Sequence, residues 1–429
     1  MRRMSASVEG QSGPLGRARA ERRRRLVLGV VALLPLAAAV ALLVLRLRDE
    51  PARTVQVEAA SATSAQALLV RACQALEEGR WDEAQQAISR LKALSPDRPE
   101  PLLLQKLMEQ RRGLLAPGWG KGFLDAWAEL GRPDLSDSPL LPTPSAQPDT
   151  SRLIDEAWRQ ASAGERLPLV LMALSLSEEQ TRWLVQHTAT LEDTALLVAL
   201  LDPRRRPLYP EALRSEARAV LLHRLKHLTQ GSSGAMLPRL TVLLSGTDGE
   251  APFDARELEA LEAIATLERW RETSFFQTFT QARQHLRTAA VPAPSARAFG
   301  IAEQTVGTGV ALVLRKRAER SWDRLPWDEQ RRLGRVLWRI GERMAEASSL
   351  LEHSVGTLLM EQGAERMEQA CDQSQALARD ETVREGLRAS LKASVERWPL
   401  PSLWEDLEAS RARDELRWLR AFTGHAELP

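Results

Sequence analysis

Apolar residues recur at helical spacing along most of the chain beyond residue 150. They lie three or four positions apart, as one face of an α-helix requires, whereas the alternation typical of strands is nearly absent. Only 306–314 is ambiguous between helix and strand. The pattern predicts an all-α protein built of helical hairpins with short loops, arranged as a solenoid or a bundle. The clearest runs are Leu258, Leu261, Ile264 and Leu267; Leu333, Val336, Leu337, Ile340 and Met344; Leu350, Leu351, Val355 and Leu358; and Ala376, Leu377, Val383, Leu387 and Leu391.

A different pattern occupies residues 26–45, which contain no charged residue. The run starts at Leu26, ends at Leu45 and includes Gly29 and Pro35. A helix of this length reaches roughly 30 Å, the thickness of a bilayer core, and membrane helices tolerate an internal proline. A buried soluble helix and a cleavable signal peptide are the alternatives. Charged residues at 46–50 end the run, and the nearest small-residue cluster begins only at Ala59. An uncleaved transmembrane helix over 26–47 is therefore predicted.

Charge around this segment predicts its orientation. Eight arginines and two glutamates in residues 1–25 give +6, and residues 51–429 carry −4, so the net charge of +2 conceals a basic head. The positive-inside rule keeps that head in the cytoplasm. The arginines nearest the span are Arg22, Arg23, Arg24 and Arg25. Because topology accounts for these charges and no aromatic residue interrupts them, no nucleic-acid partner is predicted.

The basic residues also indicate where the protein resides. Only six of the 59 basic residues are lysines, a bias expected of a GC-rich genome. Together with a single span and no organelle signal, this predicts a bacterial inner-membrane protein. Its N-terminus would be cytoplasmic and the bulk of the chain periplasmic.

Breaks in the pattern predict the domain organisation. A basic tail (1–25), the membrane helix (26–47) and a tether (48–64) precede a helical repeat (65–112). Residues 113–150 are rich in Pro and Gly and are predicted to be a linker with a domain boundary near 145; a long connection over a core is the alternative. The rest, 151–429, is predicted to be an α-helical domain with a possible sub-boundary at 290–300. Within it, Ser177 and Gln180 have the spacing of a capping box and predict a helix start.

Residues from about 65 to 98 have the composition of two helices joined by a tight turn. Small residues would let the helices approach, a tryptophan would wedge between them, and a Ser-Pro pair would end the second helix. The key positions are Ala72, Gly79, Trp81, Ala84, Ile88, Leu91 and Pro96. In this spacing the segment resembles one tetratricopeptide repeat, although Arg71 stands where that family usually has an apolar residue. Residues 99–111 predict a third helix stacked on the pair. The resemblance implies recognition of a peptide or protein on the concave face, near Trp81 and 99–111.

Candidate chemistry is sparse. His223 and His227 lie at i and i+4, a spacing that can place two metal ligands on one helical face, but no third ligand or general base accompanies them. The glycines at 300, 307 and 309 lack the lysine of a phosphate loop, and Gly231–Gly234 lacks the spacing of a nucleophile elbow. At 248–250, an Asp-Gly-Glu sequence lacks the ligand alternation of a calcium loop. No catalytic residue, bound metal or cofactor is therefore predicted.

The two cysteines and the tryptophans add little chemistry. Cys73 and Cys371 are the only cysteines; Cys73 is expected to be a buried free thiol, with a disulfide between the two as the alternative. The tryptophans near turns are expected to anchor helix ends, or alternatively to line a peptide groove. They are Trp322, Trp327, Trp398 and Trp404.

The function predicted from these features is protein–protein interaction or scaffolding at the bacterial cell envelope, by a single-pass membrane protein without enzyme activity. The partner is unidentified and the oligomeric state open. An all-α enzyme or ligand-binding protein, with His223 and His227 as metal ligands, is the alternative. A third hypothesis is oligomerisation within the membrane through Ala37, Ala41 and neighbouring small residues.

Overall fold

The prediction of an all-α protein is confirmed by the computed structural model, which describes residues 61–111, 118–142, 150–231, 234–245, 251–367 and 397–423. Within those ranges the chain forms 18 α-helices and no β-strand. The ambiguous stretch at 306–314 is helical from Thr308 onwards. The only β-type pairing in the described ranges is an isolated bridge between Ala235 and Arg269.

The helices follow one another with short connections. The first nine are α1 (Ser61–Glu77), α2 (Trp81–Leu94), α3 (Pro99–Arg111), α4 (Trp119–Glu129), α5 (Thr150–Gln160), α6 (Ala163–Met172), α7 (Glu178–His187), α8 (Thr194–Leu201) and α9 (Glu211–Thr229). The other nine are α10 (Met236–Ser245), α11 (Ala255–Ala265), α12 (Phe275–Thr288), α13 (Pro294–Gln304), α14 (Thr308–Ser321), α15 (Trp327–Ala345), α16 (Leu350–Met367), α17 (Pro401–Arg413) and α18 (Glu415–Thr423). Short 3₁₀ helices at Thr188–Thr190 and Pro203–Leu208 flank α8.

Two apolar cores organise these helices. The first is formed by α1–α4 together with side chains from the C-terminal stretch, including Trp398, Leu403, Leu407 and Phe422. The second is larger and takes its buried side chains mainly from α5–α16. Because α17 contacts α4 on one side and α12 and α13 on the other, the C-terminal helices join the two cores.

Part of the Pro- and Gly-rich stretch at 113–150 belongs to the first core. It contains α4, whose Phe123 is fully buried, and the turns that follow bury Leu135, Leu140 and Leu141. The remaining residues of the stretch, 113–117 and 143–149, lie outside the described ranges.

Several helix starts are capped by side chains of the same turn. The capping box predicted from Ser177 is present: the Ser177 hydroxyl accepts a hydrogen bond from the backbone N–H of Gln180, and the side-chain oxygen of Gln180 accepts one from the backbone N–H of Ser177. Asp254 and Ser274 cap α11 and α12 in the same way. These short-range bonds satisfy N–H groups that a helix leaves unpaired in its first turn.

The helices α15 and α16 form a hairpin and contact each other at glycine residues. A Cβ on Gly341 would lie 2.5 Å from the carbonyl oxygen of Gly356, and one on Gly363 would lie 2.5 Å from that of Gly334. Each helix therefore carries two glycines seven residues apart, on the side that faces its neighbour. The two backbones touch without intervening side chains, so the hairpin has no room for even a methyl group there.

The predicted membrane segment cannot be compared with the structure. Leu26, Gly29, Pro35 and Leu45 lie outside the described residues, as do the flanking arginines at 22–25. In the part of the chain that is described, no helix has the length and apolar character needed to cross a bilayer.

Candidate functional site

The residues predicted for the helical repeat lie in the hairpin of α1 and α2. Gly79 adopts a left-handed backbone (φ 69°) in the turn, a conformation that a side chain disfavours. Trp81 is the first residue of α2 and is partly buried, packing on the first core. Pro96 lies in the turn between α2 and α3. The remaining four predicted positions are fully buried between the helices: Ala72, Ala84, Ile88 and Leu91.

A shallow groove of about 540 Å³ runs along the outer side of this hairpin. Its floor has apolar atoms from Ala67 and Val70, flanked by the amides of Gln66 and Gln74. Such a mixture of apolar surface and amide groups can hold an extended peptide, because amides donate to and accept from a peptide backbone. The complete lining is Gln66, Ala67, Val70, Arg71, Gln74, Arg80 and Glu83.

One rim of the groove is charged. Arg71, the residue that departs from the family pattern, reaches across the hairpin to Glu83 (Nε to Oε1, 2.8 Å). Arg80 bonds to the second oxygen of Glu83 and to Glu78. Arg71 therefore has a polar partner on α2, which explains why an apolar residue is not required at that position. All of these side chains are partly exposed, so the ion pairs position the rim rather than stabilise the fold strongly.

The predicted binding surface only partly coincides with this groove. Arg80 and Glu83 flank Trp81 in sequence, yet the lining includes neither Trp81 nor any residue of α3. α3 instead turns Leu103, Leu104 and Leu107 into the first core, where they are fully buried. These three leucines are therefore not available on the surface of α3 for recognition.

A second arrangement, which the sequence did not indicate, centres on α17. Glu77 at the end of α1 accepts hydrogen bonds from the backbone N–H and hydroxyl of Ser402, in the first turn of α17. Glu405 of α17 accepts a bond of 2.6 Å from the hydroxyl of Ser295, in the first turn of α13. Asp406 accepts one from the backbone N–H of Trp119, at the start of α4. Carboxylates from α1 and α17 thus cap helices that are distant in sequence, where both the hydrogen bond and the helix dipole favour a negative charge.

Two further helix starts are capped from a distance. Glu415 of α18 accepts a bond of 2.9 Å from the backbone N–H of Leu350, at the start of α16. Asp202 is buried and accepts one of 3.2 Å from the N–H of Gly309, at the start of α14. A Cβ on Gly309 would overlap the Asp202 carboxylate, so glycine is needed there for close approach. The backbone N–H of Gly309, which a phosphate loop would use to bind phosphate, therefore already donates its hydrogen bond to Asp202.

Charged side chains converge where α13, α16, α17 and α18 meet. Arg411 donates to one oxygen of Glu415 from Nε (2.9 Å) and Nη2 (2.7 Å), and its guanidinium lies 4.1 Å from the centre of the Phe299 ring. Glu408 lies one turn before Arg411, with its Oε1 3.9 Å from the Arg411 Nη1. Glu303 of α13 is partly exposed and interacts electrostatically with all three of these charges. We refer to Glu303, Glu408, Arg411 and Glu415 as the acidic joint.

Burial is the largest influence on the pKa values of Glu303, Glu408 and Arg411 in this joint. Loss of water raises the pKa of Glu303 to about 7; Arg411 opposes that shift, whereas Glu415 and Glu408 add to it. Burial likewise raises the pKa of Glu408, against the attraction of Arg411. The pKa of Arg411 is raised because the neighbouring carboxylates, Glu415 foremost, outweigh its loss of water. The joint therefore contains carboxyl groups that hold a proton far more readily than exposed glutamates do.

An adjacent buried pair completes this charged region. Arg271 contacts Glu352 (Nε to Oε1, 2.5 Å), and both side chains are shielded from solvent. Glu352 also accepts a bond from Arg271 Nη2 at 3.0 Å. Burial raises the pKa of Glu352, with Arg271 acting in the opposite direction. Because a lone buried charge is costly, this pair requires both partners to be present.

The remaining candidates for chemistry lie apart from both arrangements. His223 and His227 are exposed on α9, and the described residues contain no cluster of three or more potential metal ligands. Residues 246–250 and residues 232–233 lie outside the described ranges. Cys73 is a buried free thiol; burial raises its pKa most, and the negative charge of Glu77 raises it further. Cys371 lies outside the described residues.

The tryptophans near turns differ in exposure. Trp322 and Trp398 are buried, Trp398 making an edge contact with Phe123 at 5.4 Å, and Trp404 packs at the border of the first core. These three anchor helix ends to a core. Trp327 is about half exposed at the start of α15, and the groove on α1 contains no tryptophan.

Comparison with known proteins gives no match to a family, to a curated protein or to a solved structure.

Proposed function

We propose that the chain is a membrane-anchored helical scaffold that binds a protein partner through the groove on α1. The observation that carries this proposal is the groove itself. Five of its residues come from one face of α1, on the side opposite to the buried Ala72, Cys73 and Leu76. A helix that is packed on one face and offers amides and apolar atoms on the other is suited to holding a peptide segment.

The expected location follows from the sequence. The uncharged segment at 26–45 would anchor the chain in a bacterial inner membrane, with the arginines before it in the cytoplasm. α1 begins at Ser61, only a short tether beyond that segment. The groove would then lie in the periplasm, the compartment of envelope partners. The tetratricopeptide-like spacing in α1 and α2 is consistent with this use.

A site-specific crosslink tests the proposal in the intact, membrane-embedded chain. A photoreactive residue at Gln74, an exposed position in the groove, is expected to capture one discrete partner. The matched control is the same residue at Glu216, an exposed position on α9. Val70→Glu, which places a charge in the groove, is expected to abolish the Gln74 adduct, whereas Ala219→Glu on α9 should leave it unchanged. Equal adducts from Gln74 and Glu216, or an adduct insensitive to Val70→Glu, would contradict the proposal.

Topology is tested separately. A reporter enzyme that is active only in the periplasm is fused after residue 429, in the wild-type chain and in a variant with Arg22–Arg25 replaced by alanine. The wild-type fusion is expected to be active, and the variant to lose part of that activity because the positive-inside bias is weakened. An inactive wild-type fusion would place the bulk of the chain in the cytoplasm instead.

A further inference from the structure

The acidic joint contains more negative than positive charge. Three glutamates surround Arg411, and Arg411 gives both of its short hydrogen bonds to Glu415. Glu408 is buried, and its Oε2 has no hydrogen-bond partner. A buried, ionised carboxylate oxygen without a donor is unfavourable, whereas a carboxyl that carries a proton satisfies it. The geometry therefore favours a proton within the joint.

The groups around the joint do not supply the missing positive charge. Arg204, from the turn after α8, faces Glu303 but is itself paired with Asp202 at 2.9 Å. From α16, Glu352 faces Glu415 and is neutralised by Arg271. On α17 itself, Glu405 acts on Glu408 but is paired with Arg287 of α12 at 2.6 Å. Each of these neighbouring carboxylates therefore has its own arginine, and none of these groups offsets the excess of glutamates around Arg411.

We propose that the acidic joint is a proton-controlled latch for the C-terminal helices. In the closed latch, one proton resides on a carboxyl of Glu303 or Glu408, and α17 and α18 are held on α13 and α16. When that proton leaves to water, both carboxyls are ionised beside Glu415, and Glu408 carries its charge in a buried position. Their mutual repulsion then favours separation of α17 and α18 from the body, which lets water reach the charges.

The direction of the pH dependence follows from linkage. The pKa of Glu303 is raised from 4.5 to about 7, so the closed latch retains a proton that a solvated glutamate releases. The closed form is therefore favoured below pH 4.5 and loses this advantage as the pH rises through about 7. Opening also withdraws Asp406 from α4 and Glu405 from α13. A proton leaving the joint would thus weaken the contact between the two cores.

Hydrogen exchange measured by mass spectrometry on the intact chain tests this. Exchange in 401–423 is compared with exchange in α15 at pH 5.5 and pH 8.5, after correction for the intrinsic pH dependence. The ratio is expected to rise by about tenfold or more at pH 8.5, since one unit of pKa difference corresponds to tenfold in opening. Using α15 as reference separates latch opening from global unfolding.

Neutral isosteres provide the decisive comparison. Glu303→Gln or Glu408→Gln removes one ionisable group without changing shape, and is expected to keep the ratio low at both pH values. Glu178→Gln, at an exposed glutamate on α7 with a surface ion pair, should preserve the wild-type rise. A wild-type ratio that is the same at both pH values overturns the latch, whether or not either variant folds. A wild-type rise that survives in both joint variants overturns it as well.

Discussion

Asp406 accepts a hydrogen bond of 2.9 Å from the backbone N–H of Trp119, a residue 287 positions earlier in the chain. The two helices also approach closely at the next residue, because a Cβ added to Gly120 would lie only 3.1 Å from the backbone nitrogen of Leu407. The first turn of α4 thus packs directly against the backbone of α17. The start of a helix in the N-terminal core is fixed by a side chain close to the end of the described chain.

Removing this cap should destabilise the first core. Asp406→Ala is expected to lower the free energy of unfolding by about 1 kcal/mol, because the N–H of Trp119 loses its acceptor and a favourable charge at the helix start. Chemical denaturation measures the loss. Asp97→Ala, at an exposed aspartate in the turn between α2 and α3, serves as control and should change stability much less. Equal losses in the two variants would show that Asp406 has no capping role.

A Gly→Ala substitution should have opposite effects on stability at two sites, Gly341 in α15 and Gly300 in α13. Gly341→Ala should destabilise the chain by about 1–3 kcal/mol, because its methyl group must displace the Gly356 carbonyl. Gly300→Ala, in α13 with open space around the added methyl, should stabilise by up to about 1 kcal/mol through helix propensity. Thermal or chemical denaturation distinguishes them. A Gly341→Ala variant as stable as Gly300→Ala would refute the close approach of the two helices.

Replacing Arg397 should lower the free energy of unfolding, and lysine at this position should restore only part of it. Its guanidinium donates to four backbone carbonyls in the turns after α4, those of Ser136, Ser138, Leu141 and Pro142. Arg397→Ala should cost about 2–3 kcal/mol, since several carbonyls lose a charged donor. Arg397→Lys should recover less than half, because one ammonium cannot span the same acceptors. Denaturation provides the measurement, with Arg339→Ala in an exposed ion pair as a nearly neutral control.

Cys73 should be chemically inert in the folded chain. It is fully buried, and burial raises its pKa, so little reactive thiolate forms. In a Cys371→Ser background, a thiol reagent is expected to modify Cys73 only at the rate of unfolding. The control is Gln74→Cys combined with Cys73→Ser and Cys371→Ser, which exposes a thiol one position away and should react at once. Comparable rates for the two thiols would contradict the burial of Cys73.

Helical periodicity predicted the secondary structure and much of the second core. All five residues of the run starting at Leu333 are buried in α15, because spacing alone determines which face of a helix turns inward. The capping box at Ser177 was also predictable, since its two residues are three positions apart. Both features are encoded locally.

The acidic joint and the distant caps could not be predicted in this way. Glu405 and Asp406 lie among other charged residues with no local signature, and their partners are 110 and 287 positions away. Such pairings depend on how helices pack, which a single sequence does not reveal. The glycine hairpin is an intermediate case, since the spacing of Gly334 and Gly341, repeated at Gly356 and Gly363, is visible in the sequence. The groove had one local clue, the unexpected Arg71.

The position of α17 has a consequence for biosynthesis. The first core includes Leu403 and Leu407, so α1–α4 emerge from the ribosome long before the residues that complete their packing. A chain that stops before residue 397 would lack these leucines and the Asp406 cap on α4. The first core is therefore completed only after the C-terminal helices have been synthesised.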